Sequence, residues 1–209
     1  MSFRVVCAGL LSVVMLLLPE RSDAQDTGLL GRMCADFADS CVEMECSWSM
    51  RLSGASTKGS GDMRIQDNMW FLSGNGVEMW CDGKSTWILD KALKEAVIEP
   101  VEEGTEYISN PALVFARLQE LFLVNTSHPT EDGNAVFYSM RPKGDSAIDF
   151  LDVEINSSDA SMRRGTVAMK SGDIINIEVS LMKLTPKISV EAFRPRDVFD
   201  SSWIVTDLR

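Results

Sequence analysis

The sequence predicts a mainly β protein of the α+β class: one strongly curved antiparallel sheet of about eleven strands with two helical interruptions. Three observations predict it. Residues 42–53 alternate without a break, with Val42, Met44, Cys46, Trp48, Met50 and Leu52 separated by Glu43, Glu45, Ser47, Ser49, Arg51 and Ser53. That is the period of a strand with one apolar and one polar face. Ile175, Ile177, Val179 and Leu181 repeat the pattern against Asn176, Glu178 and Ser180. Between these segments, Asn75-Gly76 and Asp82-Gly83 punctuate short apolar runs at hairpin spacing. The Asp82-Gly83 pair favours a type I′ turn, whose two central positions both need positive φ.

Residues 1–24 read as an export signal. Arg4 supplies a positive start, Val5 to Leu18 an apolar run, and Pro19 a break before the small residues Ser22 and Ala24. Cleavage after Ala24 leaves one domain over residues 25–209. The apolar run is too short for a membrane span, and Cys7 lies inside it, so both leave with the signal. The signal contains two basic and two acidic residues, so the net charge of −11 is unchanged by its removal. No basic stripe with interleaved aromatics is present, which argues against nucleic acid as a partner.

The elements follow in order. Leu29, Leu30, Met33, Cys34, Phe37 and Cys41 recur at helical spacing, which places a short amphipathic helix over 28–40. The strand 42–53 is followed by a Gly/Ser-rich turn, 53–61, and by strands at 62–66, 69–73, 77–81, 85–89 and 95–99. Asn110 is a good N-cap and Pro111 a good first helical residue, so a second helix is placed over 111–124. A loop over 125–133 leads to strands at 135–141, 148–155, 166–170, 174–184 and 188–193. The apolar phase slips by one between Phe150 and Leu151, which predicts a bulge. A sheet of this kind has to cover its apolar face. Either it folds into a filled sandwich, or it forms an incomplete barrel with the helices as a lid over a hydrophobic cavity.

Four cysteines remain after the signal: Cys34, Cys41, Cys46 and Cys81. Their pairing is open. Cys46 and Cys81 both fall on strands and could bridge them. Cys34 and Cys41 in one helix would stand about 10 Å apart, too far for a disulfide. No C-x-x-C pair or histidine partner supports zinc, and no metal or other cofactor is expected. The single histidine, His128, precedes Pro129 in the loop over 125–133 and reads as solvent-facing. Asp149 and Asp152 differ by an odd number and would face opposite sides of a strand unless the bulge intervenes. No nucleophile elbow, phosphate loop or H-E-x-x-H motif occurs, so no enzyme is predicted. Methionine is frequent, twelve in all. Met44, Met50, Met63, Met69, Met79, Met140, Met169 and Met182 fall on strands, where flexible thioethers serve either as core filler or as an adaptable binding surface.

Several of these motifs together resemble the periplasmic outer-membrane lipoprotein carrier (LolA-like) family. They are the helix before the first strand, Gly61-Asp62-Met63-Arg64-Ile65, the Asp82-Gly83-Lys84 hairpin with Trp87, the Asn110-Pro111 helix entry, Phe193-Arg194-Pro195 and the ending Trp203 to Arg209. The resemblance implies an unclosed eleven-strand barrel with helices under its open mouth. It implies a periplasmic carrier or chaperone that shields the acyl chains of lipoproteins and does no chemistry. Its partners would be acylated lipoproteins, an inner-membrane lipoprotein-releasing transporter and an outer-membrane lipoprotein acceptor, with the carrier itself a monomer. The sequons at Asn125 and Asn156 carry no meaning in a bacterial periplasm. By resemblance, Trp70, Leu72 and Leu113 line the acyl-chain cavity. Strand parity adds Trp48, Met50 and Leu52. Many family members place a lid-gating arginine where this chain has Gln66, a side chain that can donate a neutral but not a charge-assisted hydrogen bond.

Overall fold

A computed structural model describes residues 28–52, 54–101, 114–115, 117–196 and 199–209. The expected signal, Leu113 and the start of the second expected helix lie outside these residues. Helix α1 (Gly28–Asp39) leads into β1 (Cys41–Leu52), β2 (Ala55–Gln66), β3 (Met69–Gly74), β4 (Val77–Cys81), β5 (Ser85–Asp90) and β6 (Glu95–Pro100). A single helical turn, α2 (Leu118–Leu121), precedes β7 (Phe122–Pro129), β8 (Ala135–Pro142), β9 (Ile148–Asn156), β10 (Met162–Met169) and β11 (Ile174–Thr185). A 3-10 turn (Val190–Phe193) and β12 (Ile204–Asp207) follow.

All twelve strands join one sheet in the order β12-β6-β5-β4-β3-β2-β1-β11-β10-β9-β8-β7. Neighbours are antiparallel except β12, which runs parallel to β6. The two end strands, β7 and β12, do not pair with each other, so the sheet curls without closing. This is the unclosed barrel expected above, with one strand more. Helix α1 packs on the concave side against β1, β2 and β9. It buries Leu30, Met33, Cys34 and Phe37 there, and Phe37 stacks on Phe115 with ring centroids 5.1 Å apart. Full burial of side chains of this size is worth about 1.5–3 kcal/mol each, which exceeds what helix propensity gives a segment of three turns.

Five local expectations change. The stretch 53–61 is not a turn: β2 begins at Ala55 and pairs with β1 along its length. Gly59 and Gly61 sit on the concave face of β2 because side chains there would collide with their neighbours, and only Gly54, at φ +85°, turns the chain. The type I′ turn belongs to Asn75-Gly76, at φ 54° and 83°. In the following hairpin Gly83 alone has positive φ, and Asp82 Oδ1 accepts 2.9 Å bonds from the N–H groups of Lys84 and Ser85. The helix placed over 111–124 ends at Leu121. From there Phe122 is buried, Leu123 exposed and Val124 half-buried, the alternation of β7. The segment 188–193 is not a strand: it holds the 3-10 turn Val190–Phe193 and is flanked by Pro186 and Pro195, which cannot donate to a ladder. The phase slip in β9 lies at Asp149, skipped between Ile148 and Phe150 in the pairing with β10, one residue before the expected place.

The residues after β11 run back as a strap over the outer face of β2 to β6. Lys187 pairs with Asp67 at 2.6 Å and Arg194 with Asp82 at 2.7 Å. Arg64 Nη1 donates to the Ala192 carbonyl at 3.5 Å and Lys94 to Ser202 Oγ at 2.9 Å. Beneath the strap, Trp87, Leu89, Ala96 and Ile98 form a second core with Trp80, Phe199 and Trp203. The four cysteines are free and buried. Burial pushes all four thiols up from their ordinary values.

Two outcomes are expected. A Cβ at Gly61 would stand 1.7 Å from the Ser73 carbonyl oxygen, whereas one at Gly144 meets nothing within 4 Å. Gly61→Ala therefore costs at least about 2 kcal/mol in urea unfolding, and Gly144→Ala stays within about 0.5 kcal/mol of the parent. Burial alone would raise the Asp82 carboxyl, but the Ser85 and Lys84 N–H groups and the Arg194 guanidinium outweigh it and hold the group below its ordinary value. Its contribution is then complete above the unfolded carboxylate value of about 3.9 and is lost as pH falls through the lower folded value. Arg194 is half exposed, so the ion pair is discounted for solvent screening. Asp82→Asn costs about 1 kcal/mol at neutral pH and flattens the acid limb of the stability curve, read as unfolding midpoints between pH 5 and 2.

Candidate functional site

Strand alternation aims one set of side chains at the concave side. In β1 these are Met44, Cys46, Trp48 and Met50, and they face Met63 on β2 and Trp70 and Leu72 beyond it. On the other flank they face Ile175 and Ile177 of β11, then Val167 of β10 and Leu151 of β9. Helix α1 fills one half of the concavity. The other half is a cavity of about 500 Å³ whose described lining is apolar but for Asp173. Val114 and Phe115 form its helical side.

Trp48 shows how the sequence builds this wall. A Cβ at Gly59 would lie 2.7 Å from Trp48 Cζ2, and one at Gly74 2.2 Å from Trp48 Cη2. The indole therefore lies flat across β2 towards β3 on a floor that only glycine leaves open. Glycine weakens a strand. Here it leaves room for a large aromatic surface facing the cavity.

Of the expected cavity residues, Trp48, Met50, Trp70 and Leu72 line the cavity together. Leu52 ends β1, and its side chain lies outside the described part. Leu113 lies outside the described residues. Gln66 is 3 % exposed and sits at the end of β2. Its Nε2 donates to the Ile188 carbonyl at 2.9 Å, and its Oε1 accepts from the Ile188 N–H at 2.8 Å. Both ends of this amide bond the start of the strap, so Gln66 staples the end of β2 to it.

The sequence reading missed the half of the wall supplied by β9, β10 and β11, together with Cys46, Met63 and Met79. Parity over 174–184 already put Ile175 and Ile177 on one face. What was missing was the pairing of β1 with β11. Of the eight strand methionines, Met50, Met63, Met79 and Met169 line the cavity. Met44 and Met140 are buried beside it in the same core.

The polar candidates lie elsewhere. His128 is exposed on β7, its ring 5.0 Å from Phe137 and its Nδ1 3.1 Å from the Pro129 carbonyl. The register shift brings Asp149 and Asp152 to the outer face. Asp149 is exposed and pairs with Arg141 at 3.4 Å. Asp152 is half-buried, with Oδ1 lacking a hydrogen-bond partner. Among the described residues no group of three His, Cys, Asp or Glu side chains is placed to hold a metal.

No family model matches the chain, and no curated protein matches it in sequence. Solved structures do. An uncharacterized conserved protein from Thermus thermophilus superposes with a TM-score of 0.52 at 12% identity, over 87% of this chain and 98% of that one. This shows a shared fold. A LolA superfamily protein from Nitrosomonas europaea matches with a TM-score of 0.42 at 10% identity, over 81% of this chain and 97% of that one. A putative outer membrane lipoprotein-sorting protein domain from Vibrio parahaemolyticus matches with a TM-score of 0.40 at 7% identity, over 78% and 94%.

The staple yields a clear expectation. Gln66→Ala leaves the Ile188 N–H and carbonyl without their partner and lowers unfolding free energy by roughly 1–3 kcal/mol. Binding of a neutral apolar dye to the cavity stays within about twofold, because the two sites are separate. The two measurements are a urea titration and a fluorescence binding curve on the same variant.

Proposed function

We propose that this protein is an exported, non-catalytic carrier that shields acyl chains in its half-open barrel. The finer reading is a periplasmic carrier of acylated lipoproteins that takes them from an inner-membrane transporter and gives them to an outer-membrane acceptor. The observation that carries the proposal is the apolar cavity of about 500 Å³ between the helices and the concave sheet. Its size falls within the roughly 300–1,000 Å³ of small-molecule sites. A filled sandwich has no such space, because protein interiors pack at crystal-like density.

The physics of the task fits the lining. Each methylene kept from water is worth about 0.8 kcal/mol, so a free acyl chain does not cross an aqueous compartment unaided. A carrier also has to release its cargo. Met50, Met63, Met79 and Met169 give a wall that changes shape at low cost and accepts chains without complementarity to any one of them. The export signal read over residues 1–24 supports a periplasmic site of action, with the domain over residues 25–209.

The test is direct. Trp48 and Trp70 face the cavity, whereas Trp80, Trp87 and Trp203 belong to the outer core. An acyl chain brominated near its methyl end quenches the first two and spares the other three. Leu72→Glu puts a charge on the cavity wall, where burial without a partner is costly, and weakens binding by roughly tenfold or more. Native mass spectrometry of the purified protein shows bound lipid or lipoprotein. Depletion in cells strands outer-membrane lipoproteins at the inner membrane. Normal sorting after depletion overturns the lipoprotein cargo and leaves another amphiphile as the ligand. Absence of quenching overturns the carrier.

A further inference from the structure

The two ends of the sheet are finished differently. β7 carries a register shift at Asn125 and ends at Pro129, and a bulge or a proline spoils an edge for further pairing. β12 reads Ile204-Val205-Thr206-Asp207 and continues into Leu208 and Arg209, with no proline, lysine or register shift. All of its strand residues are exposed. Its two charges meet each other, with Arg209 Nη2 at 2.7 Å from Asp207 Oδ2. Seven large apolar side chains stand exposed among the described residues, and four of them gather here: Ile204, Val205 and Leu208, with Leu93 in the β5–β6 turn. Leu93 lies at the Ile204 end, where the Ile204 N–H donates to the Lys94 carbonyl at 2.9 Å.

The ladder to β6 sets which backbone groups face out. The N–H groups of Ile204 and Leu208 donate inwards, to the carbonyls of Lys94 and Ile98 at 2.9 and 2.8 Å. Alternate residues of a strand bond to a given neighbour, so Thr206 also faces β6, while Val205 and Asp207 turn their N–H and C=O groups away from it. Among the described residues no strand takes those groups. A second β12 takes them if it runs antiparallel about a two-fold axis at Thr206. That register sets Val205 against the partner's Asp207, and residues so opposed exchange both N–H···O bonds. It also sets Ile204 opposite the partner's Leu208, in the closely spaced pairs where side chains approach most. A two-fold contact has to be self-complementary, and the neighbouring registers are not. An axis at Asp207 sets like carboxylates face to face. An axis at Val205 puts Leu208 opposite the polar Ser202.

We infer that β12 is the contact of a homodimer: two copies of this chain pair β12 to β12 antiparallel about Thr206 and join their sheets into one. The monomer that the resemblance implies is then the dilute form. One short strand from each copy buries less than the roughly 1,200 Å² of a standard interface, so the dimer is weak and depends on concentration. β12 contributes nothing to the lining of the cavity, so the dimer stands or falls apart from the carrier reading.

The experiment is sedimentation velocity of the purified protein between about 5 and about 500 μM. The parent passes from monomer to dimer and is half-associated near roughly 100 μM. Val205→Pro removes an outward N–H, at a position where an edge strand tolerates proline. It weakens association by at least about tenfold and leaves the urea midpoint nearly unchanged. Cross-linking then fixes the register. In Thr206→Cys the two copies of the residue face each other with Cα atoms about 4.5 Å apart, within disulfide range, and mild oxidation gives a covalent dimer. In Val205→Cys they stand about 7–8 Å apart, out of that range, and no such dimer forms. The parent, whose described cysteines are buried, is the control. A parent that stays monomeric throughout overturns the proposal and leaves the edge to a strand of another protein. A dimer unchanged in Val205→Pro, or equal cross-linking at positions 205 and 206, puts the contact elsewhere and overturns it too. If Val205→Pro does not fold, the cross-linking pair decides alone. None of these outcomes bears on the carrier, which the quenching experiment tests.

Discussion

A strand gives every second side chain to each face, and that constraint governs this molecule. Twelve strands curled into one sheet collect an apolar concave surface that few of the described residues cover as helix. Helix α1 covers half of it, through Leu30, Met33, Cys34 and Phe37. The remainder is a cavity walled by the same alternating positions. Closure into a barrel would remove the opening, but β7 and β12 remain at opposite ends of the sheet.

The other face is treated in the opposite way. On β5 the outward residues Ser85, Trp87 and Leu89 are the buried ones, while Thr86 and Ile88 on the concave side are half-buried. The strap after β11 explains this inversion. It brings Phe199 and Trp203 over Trp80 and Trp87, and it is tied down by Gln66, Asp67 and Asp82. The floor of the cavity is thus backed by a second packed layer across β3 to β6. A wall of flexible methionines can adapt to a guest without the sheet itself giving way.

Much of this was legible in the sequence, for reasons that can be named. Unbroken alternation from Val42 to Leu52 marks β1 and places Trp48 and Met50 on the cavity side. What was hidden depended on contacts distant in sequence. The glycines at 59 and 61 read as a turn because glycine disfavours strands, and only their neighbours in the folded sheet, the Trp48 indole at Gly59 and the Ser73 carbonyl at Gly61, explain their place in β2. The apolar run 121–124 read as helix because residues that serve a short helical turn and then a strand look apolar all round. The staple that Gln66 makes was hidden as well, because its described bonds depend on where the strap crosses. Asp82-Gly83 read as a tight turn, but Asp82 instead folds its carboxylate onto its own loop and reaches Arg194.

The pairing of β1 with β11 has a consequence for how the chain assembles. Cys41 and Thr185, joined across that ladder, are 144 residues apart. Strands β2 to β6 can add to β1 in succession by short hairpins, and β7 to β11 can do the same among themselves. These two meanders meet only along β1 and β11. The seam is the most non-local contact in the sheet, and loop closure of this length slows folding. Until the seam forms, β1 is an edge strand with an apolar face, the kind of surface on which nascent chains aggregate. The lifetime of that half-sheet is therefore the window in which the chain is most exposed to aggregation.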